Sequence, residues 1–200
     1  MMKHGRARRG MTLIETIVWV AVLVFVFEAL GSTLLFFYKT NRYAIEQATA
    51  VTSGQRGLEQ MVKVMREGAY SSQGAFPIVS IAANDIVFYA DTDSDSGIER
   101  VHYYLQGTSL MRGVVDPGGN PPDYVAAETI SQVAEYIRNA SLGTAVFRYY
   151  DEIGQEITTY TNWASVRFVK VSLIVNVDAN TLPNQLTLSS SAAIRNLIGR

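Results

Sequence analysis

The apolar residues of this chain follow two patterns, a continuous run near the N-terminus and periodic spacing beyond it. Between Thr16 and Tyr38, a stretch of 23 residues, Glu28 is the one charged residue. As a helix this stretch would extend roughly 35 Å, enough to cross a hydrocarbon core of about 30 Å. The run therefore predicts a transmembrane helix, to which we assign residues 11–38.

A one-sided stripe of apolar residues continues the helical pattern beyond this run. The residues spaced i, i+3, i+4 and i+7, with one further apolar residue a turn later, are Leu58, Met61, Val62, Met65 and Ala69. Ala44, Ala48 and Val51 extend the stripe upstream. We therefore expect residues 39–69 to form an amphipathic helix outside the membrane, whose apolar side packs under a sheet.

Beyond Gly68 the apolar period changes to two, and turn residues become frequent. The segments that predict strands are Asn84–Tyr89, Glu99–Leu105, Ser109–Val115, Val166–Val177 and Gln185–Ile194. Thr144–Tyr150 and Gln155–Tyr160 predict a hairpin, whereas Thr129–Asn139 is ambiguous because its apolar spacing also suits a short helix. Residues 70–200 thus predict a globular antiparallel β domain after a long helix, an α+β fold.

The residue inventory argues against most kinds of catalysis. The chain has no cysteine, which excludes disulfides, thiolate nucleophiles and cysteine metal sites. Its two histidines are His4 and His102, too few for a multi-histidine metal site, and no phosphate-binding glycine loop precedes a helix. We therefore expect that the protein is not an enzyme.

Positive charge is concentrated at the N-terminus. The first ten residues contain four basic side chains, Lys3, Arg6, Arg8 and Arg9, and no acid. The remainder has 13 basic and 18 acidic residues, a net charge of −5, which does not favour a nucleic-acid partner. Because positive charge stays in the cytoplasm, we expect a single pass through the cytoplasmic membrane, with the C-terminal domain on the far side.

The small residue Gly10 lies before the apolar run, whereas the cleavage site of an ordinary secretory signal follows its apolar core. Such a signal is cleaved after an apolar core of 7–15 residues, but here Gly10 precedes the run. The small residues Gly31-Ser32-Thr33 do not form a cleavage site after the run, because further apolar residues follow them. Cleavage at Gly10 would remove the basic leader, residues 1–10, and keep the helix. The alternative is a plain signal anchor that contains a chance acid.

The segment Gly10-Met11-Thr12-Leu13-Ile14-Glu15 resembles the class III signal of type IV prepilins and type II secretion pseudopilins. The resemblance implies that prepilin peptidase cleaves between Gly10 and Met11 and then N-methylates Met11. It also implies that Glu15, the fifth mature residue, is the acid used in assembly. Most members of the family have Phe where this chain has Met11. The implied fold is the pilin-like lollipop, a long N-terminal helix packed against an antiparallel sheet domain.

An acid at Glu15 has a physical role in this scheme. A carboxylate in mid-bilayer costs about 2.5–3.5 kcal/mol on insertion scales, and the new N-terminal amine has an unperturbed pKa of about 7.7–8.0. Pairing the amine of one subunit with Glu15 of its neighbour relieves the cost of both charges. For Glu28 three roles remain open: a pair across subunits, a position facing a polar groove, and a side chain that extends to the outer membrane interface.

Four further segments are similar to the larger, J-type minor pseudopilins. They are Phe88-Tyr89, Val101–Leu105, Tyr149-Tyr150-Asp151 and Ala193–Leu197. This similarity implies a minor subunit in the tip or initiation complex of a cell-envelope filament, with other pilin or pseudopilin subunits and an inner-membrane assembly platform as partners. The alternatives are a minor pilin for DNA uptake, adhesion or twitching, an anchored envelope binding protein that never polymerises, and a tethered enzyme.

Alternating acids mark the turn between two of the predicted strands. Asp91, Asp93 and Asp95 have the spacing by which calcium loops gather oxygen ligands. However, Gly97 and His102 occupy the seventh and twelfth positions, where an EF-hand has Gly at the sixth and Glu at the twelfth. We expect a solvated hairpin tip and no cofactor, with calcium at these three residues as the weaker alternative.

Overall fold

The computed structural model of the chain describes residues 10–93, 95, 97–178 and 185–197. They form two compact units, the first ending at Ile45 and the second beginning at Glu46. One helix, α1, runs from Leu13 to Arg66, a length of 54 residues. By length and composition α1 can cross a membrane. The predicted continuous helix is therefore confirmed, and it ends three residues before the expected position.

In the first unit, the described residues beyond Thr12 are helical and expose their apolar side chains. Phe25 and Phe36 are 70% and 72% exposed. The hydroxyl groups of Ser32 and Thr33 donate to the carbonyl oxygen of Ala29, at 2.9 and 2.8 Å. The polar atoms of these two side chains are thus satisfied within the helix, as an apolar surrounding requires.

The second unit contains two antiparallel sheets. The larger has the order β1-β2-β3-β4-β5, with β1 at Ile78–Ala82, β2 at Asp85–Ala90, β3 at Glu99–Gln106, β4 at Ser109–Val115 and β5 at Thr129–Ala134. The smaller has the order β6-β7-β8, with β6 at Phe147–Tyr150, β7 at Phe168–Val175 and β8 at Leu186–Ala193. In the described part of the chain, three short 3-10 helices lie at Ala140–Leu142, Tyr160–Ser165 and Arg195–Leu197. The expected combination of a long helix with antiparallel sheets, an α+β fold, is confirmed.

One local prediction is wrong, and one ambiguous segment is resolved. Gln155–Tyr160 forms no strand but only a bridge between Tyr150 and Glu156. The ambiguous segment Thr129–Asn139 contains strand β5, at Thr129–Ala134, and no helix. In β5, Gln132 pairs with Met111 and Ala134 with Leu110, so Val133 is an extra residue in the register. This bulge interrupts the period of two, which explains why the apolar spacing suited a helix.

The C-terminal part of α1 packs into the core of the second unit. The buried helix residues are Ala50, Gly54, Gly57, Leu58, Met61, Val62, Val64 and Met65. They share one hydrophobic cluster with strand residues of both sheets, including Phe88, Tyr103, Tyr149 and Val171. The predicted stripe is confirmed from Leu58 to Met65. Upstream, Val51 packs against this core as expected, whereas Ala44 and Ala48 are exposed and Ala50 is buried instead.

Two parts of the chain meet the smaller sheet at the end of strand β7. They are the helix α1 and the segment that follows β5. The Gln47 side chain donates to the Val175 carbonyl at 3.2 Å and accepts from the Val177 amide at 3.0 Å. Ile137 forms an antiparallel bridge with Val175. Asn139, fully buried, donates to the carbonyls of Ala145 and Ser172 and accepts from the Ile174 amide.

Gly57 lets strand β5 approach the helix closely. A Cβ atom at Gly57 would lie 2.7 Å from Cγ1 and 2.8 Å from the carbonyl oxygen of Val133. The second of these contacts is with backbone, which moves less easily than a flexible side-chain end. The low helix propensity of glycine is thus offset here by close packing.

We expect Gly57→Ala to destabilise the second unit although alanine is the better helix former. The propensity gain is about 1 kcal/mol, whereas overpacking costs about 1–3 kcal/mol, so the free energy of unfolding should fall. Denaturant unfolding of the detergent-solubilised chain, followed by near-UV circular dichroism, measures it. Gly31→Ala is the matched control, because no atom lies within 4 Å of a Cβ there. A Gly57→Ala protein more stable than wild type would contradict the close approach.

Candidate functional site

The bond between Gly10 and Met11 lies outside α1. Residues 10–12 precede the helix, Gly10 and Met11 are exposed, and no atom lies within 4 Å of a Cβ placed on Gly10. A peptide bond in an exposed, non-helical segment is sterically open to a protease. Residues 1–9, which hold the rest of the predicted leader, lie outside the described part of the chain.

Thr12 and Glu15 form a reciprocal cap at the start of α1. The Glu15 amide donates to the Thr12 hydroxyl oxygen at 3.3 Å, and the Thr12 amide donates to Glu15 Oε2 at 3.1 Å. The Thr12 hydroxyl also donates to Glu15 Oε2, at 3.2 Å. This is the capping box of a Thr-x-x-Glu sequence, in which two otherwise unpaired helix amides are satisfied. This role of Glu15 was not predicted, although the three-residue spacing of Thr12 and Glu15 indicates it.

The cap places the Glu15 carboxylate beside the backbone that follows Met11. The helix macrodipole favours an anion in this first turn. The local hydrogen bonds therefore stabilise Glu15 within the single chain, and they hold its carboxylate toward the N-terminal end of the helix. Glu28 lies further along α1 and is exposed, and its side chain forms no hydrogen bond or ion pair with any described residue.

The acidic tip between β2 and β3 gathers a different set of carboxylates from the one predicted. Oxygen atoms of Asp91, Asp93 and Glu99 lie within 4.8 Å of one another. Asp95 is not in this group; its side chain accepts from the Gly97 amide, and its own amide donates to Asp93 Oδ1 at 3.1 Å. Glu99 replaces it because β3 begins there and turns the Glu99 side chain inward.

Glu99 is the buried member of the tip cluster. It is 1% exposed and accepts a hydrogen bond of 2.6 Å from the Thr92 amide. Burial raises the pKa of the Glu99 carboxyl, and Asp93 adds to the effect, while the bond from Thr92 opposes it. Three carboxylates could bind a calcium ion, which prefers six to eight oxygen ligands.

Calcium binding is tested by thermal unfolding. We expect the melting temperature of the detergent-solubilised chain to be the same in millimolar calcium and in a chelator, because Asp93 is exposed and exposed acidic groups are common without an ion. A calcium-dependent rise that Asp93→Asn removes would instead establish a site at Asp91, Asp93 and Glu99.

The raised pKa of Glu99 predicts a pH dependence of stability. Between the unfolded value, near 4.5, and the higher folded value, the folded state holds more protons than the unfolded state. The free energy of unfolding should therefore fall as pH rises through this window. Glu99→Gln keeps an acceptor for the Thr92 amide but has no carboxyl group to ionise. We therefore expect its free energy of unfolding, minus that of wild type, to be larger at pH 7 than at pH 4. A difference between the two proteins that does not change with pH would contradict this origin.

His102 lies between two carboxylates on the larger sheet. Its Nε2 atom is 2.7 Å from Asp85 Oδ2, and its Nδ1 atom is 3.3 Å from both oxygens of Glu128. In a Ser-His-Asp triad one ring nitrogen faces the nucleophile, whereas here carboxylates contact both nitrogens. A carboxylate thus lies where a triad would place its nucleophile.

The sequence matches no protein-family model and no curated protein.

Proposed function

We propose that this chain is a minor subunit of a type II secretion pseudopilus or a related type IV pilus-like filament, in its tip or initiation complex. The observation that carries the proposal is the exposed Gly10–Met11 bond directly before the Thr12–Glu15 cap of a 54-residue helix whose N-terminal part is apolar. The resemblance of residues 10–15 to the class III signal supplies the family. The shorter similarities around β2, β3 and β6 supply the J-type assignment.

The mechanism is mechanical. Prepilin peptidase cuts after Gly10 at the cytoplasmic face and methylates the amine of Met11. The mature subunit waits in the membrane, held by its apolar helix, with the second unit outside the cytoplasm. An ATPase and the inner-membrane platform then move it into a filament, where its helix leaves lipid for the apolar helices of neighbouring subunits.

Electrostatic pairing determines the axial position of the subunit in the filament. Glu15 is held toward the N-terminal end of the helix by its cap, so its carboxylate is oriented to meet the amine of an adjacent subunit. A buried charge without a partner is strongly unfavourable, whereas a paired one is tolerated. One axial position then satisfies both groups, as a buried polar residue fixes register in a coiled coil.

Co-expression with and without prepilin peptidase tests the proposal. We expect the chain to be shortened and recovered in sheared filaments when the peptidase and the filament system are present. Without the peptidase it should stay full-length in the membrane fraction. A chain that stays full-length and out of filaments in the complete system would favour an anchored protein that never polymerises.

A further inference from the structure

A polar groove lies between α1 and the last strand of the larger sheet. Its volume is about 530 Å³, within the range of ligand-binding clefts. One wall is the helix face from Ala48 to Gln60, and the other is formed by Arg112 of β4 with Ser131, Gln132 and Val133 of β5. The whole groove lies within the second unit.

Two arginines give the groove an uncompensated positive charge. Arg56 and Arg112 are among the lining residues, which include no Asp or Glu. In the described part of the chain, neither arginine forms an ion pair, and the buried Nε atom of Arg112 has no hydrogen-bond partner. Since buried donors almost always find an acceptor, this guanidinium is suited to an anionic acceptor from outside the chain. A planar guanidinium is matched best by a carboxylate or similar oxyanion.

Strand β5 offers a second kind of contact beside these charges. It ends the larger sheet, so among the described residues no strand pairs with its outer edge. Thr129, Ile130, Ser131 and Gln132 are exposed, and β5 has no lysine or proline of the kind that usually protects an edge. The unpaired edge of β5 ends at Val133, where Gly57 of α1 approaches closely. About four residues of backbone are thus available to an added strand.

We propose that this groove binds an extended acidic segment of a neighbouring subunit, which pairs with the edge of β5 and places a carboxylate against Arg112 and Arg56. Backbone hydrogen bonds to a sheet edge supply affinity in such complexes, and side-chain pockets supply specificity. Here the specificity is for a negative charge. The identity of the segment as part of a filament subunit rests on the proposed function, whereas the preference for an acidic extended chain rests on the groove alone.

A labelled peptide tests the proposal on the full chain in detergent. The probe is a capped six-residue peptide in which valine alternates with glutamate, and its binding is followed by fluorescence anisotropy. We expect saturable binding, and at least tenfold weaker binding of the matching glutamine peptide. The double variant Arg56→Gln/Arg112→Gln should also bind at least tenfold more weakly. If Arg112→Gln impairs folding, Arg56→Gln alone, at an exposed position of α1, should still reduce affinity.

The control removes two positive charges elsewhere. Arg148 and Lys170 are paired across β6 and β7, so Arg148→Gln/Lys170→Gln changes the net charge equally and should bind the peptide like wild type. Equal losses in the two double variants, equal binding of the glutamine peptide, or no saturable binding would overturn the proposal.

A backbone-methylated peptide tests strand addition. N-methylation of the valines removes amides that would donate to β5, so this acidic peptide should bind at least tenfold more weakly. Unchanged binding would mean a simple carboxylate site and would overturn strand pairing. None of these measurements depends on cleavage at Gly10, so the groove and the filament assignment can fail separately.

Discussion

Glu15→Ala is expected to be cleaved normally and then to be missing from filaments. The substitution leaves the Gly10–Met11 bond and the basic leader intact, so processing should continue. It removes the carboxylate that would neutralise the amine of a neighbouring subunit, and an unpaired charge in the apolar filament core is strongly unfavourable. Immunoblots of sheared filaments and of membranes, compared with wild type, measure both steps.

Two further variants separate the pairing from the cap, because Glu15 serves both. Glu15→Gln keeps a side-chain acceptor for the Thr12 amide, as glutamine does in other capping boxes, but it removes the charge. Thr12→Val keeps the charge and removes the hydroxyl that accepts from the Glu15 amide. We expect Glu15→Gln to be excluded from filaments and Thr12→Val to enter them. Normal entry of Glu15→Gln would contradict the charge pair and leave the cap as the role of Glu15.

Asn139→Leu is expected to lower the free energy of unfolding of the second unit by at least about 3 kcal/mol. Leucine has a similar size but cannot replace the three hydrogen bonds of this buried side chain, so two carbonyls and one amide lose their partner. Each orphaned buried group costs about 1–3 kcal/mol. Denaturant unfolding monitored by near-UV circular dichroism measures the loss.

Ser141→Ala is the control for Asn139→Leu. Its hydroxyl makes one exposed hydrogen bond, 2.8 Å long, to the Arg138 carbonyl in the same segment. The expected change is within about 0.5 kcal/mol. A comparably small change in Asn139→Leu would show that water satisfies the three backbone groups, and that Asn139 does not stabilise the junction at the end of β7.

The strands that the sequence predicted well are those with regular alternation and a buried face. Strand β4 has the predicted bounds, Ser109–Val115. In β7 the alternating residues Val169, Val171, Leu173 and Val175 are fully buried. The helix stripe from Leu58 to Met65 was equally clear, because a period of 3.6 sustained over two turns has few alternatives.

The elements that were missed depend on contacts distant in the sequence. Strand β5 contains a bulge at Val133 and follows its pairing with β4 rather than its own apolar spacing. Strand β1 has five residues and was not predicted; its partner is β2. A short segment of this kind gains its stability from pairing, which local pattern does not reveal.

Some of the candidate site residues could be predicted from local spacing, whereas others are brought together by contacts distant in the sequence. Thr12 and Glu15 are three residues apart, so their cap could have been predicted from the spacing alone. The sequence predicted that a strand starts at Glu99, but not that the turn brings the Glu99 carboxyl to Asp91 and Asp93 in place of Asp95. The groove joins Arg56 of the helix to Arg112 of a strand, and only the packing of α1 on the sheet brings these residues together.

Mass spectrometry of the mature N-terminus tests most directly whether this chain is a processed filament subunit. Protein recovered from cells that contain prepilin peptidase should begin at Met11, should lack residues 1–10, and should have one methyl group on its α-amine. Without the peptidase the leader should remain. A chain that enters filaments with its leader intact, or that is cut after the apolar run instead of after Gly10, would contradict the proposed pairing of a new amine with Glu15.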